Sequence, residues 1–95
     1  MNNKEQFELV LKNAGISDST AKKYASCVGG KLTDFIKNHV ENIISLYDIT
    51  DVSKLNVLLD SLTKIQSFNE YNSKGKSMYS AAFKWYIKYC QSLQK

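Results

Sequence analysis

Between Val52 and Ile65 the apolar residues Val52, Leu55, Leu58, Leu59, Leu62 and Ile65 recur at steps of three and four. That is the period of an α-helix, and it gathers the apolar side chains into one stripe that other elements must cover. Shorter stripes of the same period flank it on both sides, and the chain has no proline to interrupt them. An all-α fold is expected: a compact bundle of four to five short helices. At 95 residues the chain suffices for one core and is too short for two, so residues 1–95 read as a single helical domain.

The other elements follow from caps and breakers. A first helix is expected over about Lys4 to Asn13, with Phe7, Val10, Leu11 and Ala14 inward and Gly15 as its stop. Ser17 and Asp18 suit the start of a second helix, whose buried stripe is Tyr24, Cys27 and Val28. Gly29-Gly30 should break or kink it. A third amphipathic piece carries Leu32, Phe35, Ile36, Val40 and Ile43, followed by an extended connector over Leu46 to Ile49. Thr50 or Asp51 starts the Val52–Ile65 helix. The polar stretch SFNEYNSKGK reads as a loop with room for one helical turn around Phe68 to Tyr71. The last helix, about Ser77 to Leu93, turns Tyr79, Ala82, Phe83, Tyr86, Cys90 and Leu93 inward.

Charge is unevenly spread. Residues 1–38 hold six Lys against four acids, residues 39–70 two Lys against five acids, and residues 71–95 five Lys with no acid. All thirteen basic residues are Lys, which offers a point charge where Arg would offer a planar fork. The basic end is also aromatic, with five of the eleven rings between Tyr79 and Tyr89.

Several chemistries lack their residues. His39 is the only histidine and has no ligand partner at metal-binding spacing, so no metal or other cofactor is expected. Asp48 and Asp51 bracket a helix start, where capping accounts for both. One histidine with no placed nucleophile does not make a catalytic triad, and the glycines match no phosphate-binding motif. Cys27 and Cys90 lie within helical patterns and read as reduced core residues. With no apolar stretch near the ~20 residues of a membrane span and no signal-peptide pattern, a cytoplasmic address is the default. The chain is expected to be non-enzymatic.

What remains is an anion-binding face. Lys84 and Lys88 are one turn apart, and Lys95 continues the same side. Lys74 and Lys76 flank Gly75 just before the helix start, where free N–H groups and the positive dipole end favour an anion. Trp85 and Tyr89 fall off the main buried stripe and, if exposed, would suit base stacking or a partner surface. Ser17, Thr20, Lys22 and Lys23 form a smaller candidate around the start of the second helix, where adjacent Lys22 and Lys23 point roughly 100° apart so that at most one would touch a given phosphate row.

The segment Gly15-Ile16-Ser17-Asp18-Ser19-Thr20-Ala21-Lys22-Lys23-Tyr24 and the later Met78-Tyr79-Ser80-Ala81-Ala82-Phe83-Lys84-Trp85-Tyr86 give the chain a familiar look. It resembles the SAM-like core-binding domain of phage integrases and tyrosine recombinases. It is more similar still to the small N-terminal helical domains ahead of bacterial restriction-type nucleases, where phrases such as LYDIT and KGKSMYSAA recur. The resemblance spans nearly the whole chain. It implies a helical bundle that grips duplex DNA mainly by its backbone and positions a separate catalytic domain. By the same resemblance, Ser17, Thr20 and Lys23 match the helix start that approaches DNA in recombinases. Asn72, Lys74, Lys76, Ser77 and Lys84 match the loop and final helix of the restriction-associated form. A recombinase's catalytic Arg residues have no counterpart, so the chain reads as a domain of a longer protein or a stand-alone relative.

The expected function is docking on duplex DNA in support of a restriction or recombination activity. Lys74, Lys76, Lys84 and Lys88 would meet phosphates, and Asn72, Ser77 and Ser80 would add hydrogen bonds. Without Arg, the commonest guanine contact is missing. A second class of function fits the same residues: a protein-interaction adaptor or inhibitor whose basic aromatic last helix meets an acidic partner. Self-association of the bundle is a third. Lysines along one stripe favour DNA; an apolar patch ringed by lysines favours a protein.

Overall fold

The computed structural model describes residues 3–93. The elements are α1 (Asn3–Asn13), α2 (Asp18–Cys27), α3 (Thr33–His39), α4 (Val52–Thr63), α5 (Gln66–Lys74) and α6 (Met78–Leu93). A π-helical segment, Val28–Leu32, joins α2 to α3, and a 3-10 turn, Leu46–Asp48, precedes α4. Because α2 runs through the π segment into α3 without a gap, the described residues form five continuous helical rods and no strand. The radius of gyration is 12.5 Å, close to the ~12 Å of a compact chain this long.

Local chemistry sets the boundaries. Helix α1 ends in a Schellman motif: Ile16 N–H bonds the Leu11 carbonyl, Gly15 N–H bonds that of Lys12, and Gly15 takes φ +94°. Ser17 caps α2 by accepting from Thr20 N–H, and Asp51 caps α4 by accepting from Ser53 N–H. Gly29-Gly30 does not break the chain of helices as expected. It widens one turn into the π segment, which Thr33 secures by donating its hydroxyl to the Val28 carbonyl at 2.7 Å and accepting from Leu46 N–H at 3.0 Å. The expected extended connector is the 3-10 turn, started by Ser45 accepting from Tyr47 N–H.

Helix α6 is the hub and packs against α1, α2, α4, α5 and the π segment. It buries Ala82, Phe83, Tyr86, Ile87, Tyr89 and Cys90 over a wide arc. Edge-on aromatic contacts tie Tyr86 to Phe7 at 5.5 Å and to Tyr47 at 5.3 Å, each worth roughly 0.5–1.5 kcal/mol beyond burial. The Tyr86 hydroxyl donates to the Ile49 carbonyl at 2.8 Å and lies 3.2 Å from that of Leu46. Tyr47 donates to the Ala25 carbonyl at 2.7 Å.

Four sequence expectations need correction. Val10 and Ala14 are exposed, because α1 lies at the surface and its buried residues are Phe7 and Leu11, one turn apart. Leu93 is 48% exposed at the end of α6. Tyr89 is buried at 2%, since α6 is covered on a wider arc than one stripe. The polar stretch before Gly75 is mostly the nine-residue helix α5, inserted by the buried Phe68 and by Asn69 Nδ2 donating to the Thr63 carbonyl at 2.7 Å.

Candidate nucleic-acid interface

The buried arc of α6 leaves one stripe in solvent, carrying Lys84, Lys88 and Gln91, with the partly covered Ser80 and Ala81 at its start. The turn from α5 leads into α6, and Lys74 at the end of α5 and Lys76 and Ser77 on the turn are exposed. Helix rise puts Lys88 about 6 Å beyond Lys84 along the axis.

The turn repeats the Schellman geometry that ends α1. Ser77 N–H bonds the Asn72 carbonyl at 2.8 Å and Lys76 N–H bonds that of Ser73 at 3.1 Å. The left-handed position held by Gly15 in the first motif is held here by Lys76, with φ +56°, and Ser77 follows at φ +64°. Gly75 sits one residue early, in ordinary backbone beside the Tyr79 ring, where an added Cβ would come within 2.7 Å of Cε2. A long cationic side chain thus occupies a slot that favours glycine.

At the start of α6 the free N–H groups are partly spoken for. Asn72 Oδ1 accepts from Ser80 N–H and Asn72 Nδ2 donates to Ser80 Oγ, both at 3.1 Å, while Ser80 Oγ donates to the Ser77 carbonyl. Asn72 and Ser80, expected to offer hydrogen bonds to phosphate, spend them on this cap. Ser17 and Thr20 do the same at α2, where Ser17 Oγ donates to Thr20 Oγ1 at 3.0 Å. Lys23 is exposed on the side of α2 away from Ala21 and Ala25.

Ion pairs among the described residues include Lys12–Glu8, Lys54–Glu41 and Lys64–Asp60. None involves Lys74, Lys76, Lys84 or Lys88. Lys95 lies outside the described residues. Beside the stripe runs a groove of about 620 Å³ between α4 and α6. Leu59, Ala81, Trp85 and Ile87 give it an apolar lining, and Lys84, Lys88, Asn56 and Gln91 add polar ends. The Lys88 ammonium stands 5.1 Å from the centre of the half-buried Trp85 ring. Sequence reasoning missed this groove because it needs α4 and α6 side by side; the signal was Leu59, which extends the α4 stripe sideways.

His39 is exposed and stacks on Phe35 at 5.8 Å. Among the described residues no cluster of three or more His, Cys, Asp or Glu is placed to hold a metal. Burial pushes the Cys27 and Cys90 thiols up, keeping both protonated at neutral pH. No described helix is long and apolar enough to cross a membrane. No family model, curated protein or solved structure matches the chain.

Proposed function

We propose that this bundle is a non-catalytic module that docks on duplex DNA through the sugar-phosphate backbone, in support of a restriction or recombination activity. The carrying observation is that Lys74 at the end of α5, Lys76 on the turn after it, and Lys84 and Lys88 on α6 are all exposed and pair with no acid among the described residues. Lys76 adds weight, because a non-glycine residue in left-handed backbone is retained at a cost, and strained positions concentrate where a site needs a particular side chain. Lysines without Arg suit charge neutralisation better than base reading. Ser77 contributes its hydroxyl at the same turn.

Anisotropy titration of a labelled duplex over a range of salt tests this. With about four phosphates neutralised, log affinity falls against log salt at a slope near ~−3.6. Absence of a salt-sensitive complex overturns the reading.

A further inference from the structure

The groove between α4 and α6 has a chemistry that phosphates do not match. Leu59, Ala81, Trp85 and Ile87 present carbon to whatever enters it, while Lys84 and Lys88 beside them have no acidic partner among the described residues. An occupant must bury apolar groups and bring negative charge at the same time. We infer that this groove docks an acidic amphipathic helix from a protein partner, its apolar side chains against Leu59 and Trp85 and its carboxylates on Lys84 and Lys88.

Dimensions and backbone chemistry select a helix. From Ala81 to Gln91 the groove follows eleven residues of α6, a span of about 15 Å or nearly three helical turns. Apolar anchors at i, i+3 or i+4, and i+7 of a docked helix span ~10 Å, which fits that length. An extended strand would need unpaired backbone groups to pair with, and both walls are α-helices whose backbone groups are bonded internally. Trp85 is the kind of large, half-covered ring that anchors interfaces. The Lys88 ammonium now over its face is placed to exchange that contact for a carboxylate.

The inference goes beyond the DNA reading and shares Lys84 and Lys88 with it, so the peptide and a duplex would compete for these two lysines while only the duplex uses Lys74 and Lys76. Trp85 is the only tryptophan of the chain and lies inside the groove, so its emission reports occupancy. The probe is a synthetic capped peptide of about 15 residues with Leu at helical anchor positions and Glu flanking them. Two controls replace Glu by Lys or Leu by Ser. The expected result is a saturable blue shift with the Leu/Glu peptide and at least tenfold weaker binding of both controls. Lys84→Glu with Lys88→Glu should reverse the preference toward the Leu/Lys peptide. Ala81→Leu fills the groove without altering charge and should lose peptide binding with its helical circular dichroism intact. Lys74→Glu with Lys76→Glu should leave peptide binding unchanged while weakening any DNA complex, which separates the two readings. Unchanged Trp85 emission, equal binding of the Ser control, or full binding by Ala81→Leu overturns the inference.

Discussion

Asn72 and Ser80 face each other across the turn between α5 and α6, joined by two hydrogen bonds of 3.1 Å that use both ends of the Asn72 amide. The last helix is therefore capped by a residue of the preceding helix. Asn72→Ala should cost about 1–2 kcal/mol in urea denaturation, within the range for lost caps. Asn72→Asp, which keeps an acceptor for Ser80 N–H, should recover part of it. An unchanged midpoint for Asn72→Ala would show the cap to be idle.

Lys76 offers a test in which stability and binding move in opposite directions. Lys76→Gly relieves left-handed backbone at φ +56° and should stabilise the fold by roughly 1 kcal/mol. It also removes one cation, so the DNA salt slope should shrink by ~0.9. Thermal melts and anisotropy on the same preparation check both.

Gly29 and Gly30 are neighbours with opposite expectations. A Cβ on Gly30 meets nothing within 4 Å, so Gly30→Ala should stabilise by about 0.5–1 kcal/mol through lower unfolded-state entropy. A Cβ on Gly29 comes to 3.1 Å from Tyr47 Cε2, and Tyr47 is held by its bond to the Ala25 carbonyl. Gly29→Ala should therefore destabilise by ~1 kcal/mol. Denaturation midpoints of the two variants falling on the same side of the parent would refute the assignment.

Desolvation raises the Tyr86 and Tyr47 hydroxyls well above the ordinary tyrosine value of 10.0. Folded, these groups hold their protons while the unfolded chain would release them. Their contribution is complete below about pH 10 and is lost as pH rises further toward the folded values. Cys27 and Cys90, raised from 9.0 by burial, add the same sign starting near pH 9. The melting temperature should hold level to about pH 9 and fall beyond it. Absorbance at tyrosinate wavelengths should show a late-ionising fraction that vanishes on unfolding.

The sequence made α4 and the Ser17 cap plain because both rest on local rules: apolar steps of three and four, and a short polar side chain ahead of a helix. Helix α5 was hidden, since Gln66–Lys74 buries Phe68 alone and is held by contacts from its neighbours. Gly75 marked the turn, while the left-handed backbone at Lys76 had no local sequence signal. Tyr89 was misplaced because spacing on one helix does not tell how many neighbours surround it. The lysines of the proposed interface were readable as a charge imbalance. That Asn72 and Ser80 would consume each other, and that Leu59 would come to lie beside Trp85, depended on the packing of separate helices.

The hydroxyl of Tyr89, near the end of α6, lies 3.2 Å from Asn3 Oδ1 and 3.1 Å from Gln6 Oε1 in the first turn of α1. The first and last helices thus meet within the reach of two side chains. Tyr89→Phe should therefore loosen the first turn of α1 ahead of the rest of the bundle, read by amide hydrogen exchange.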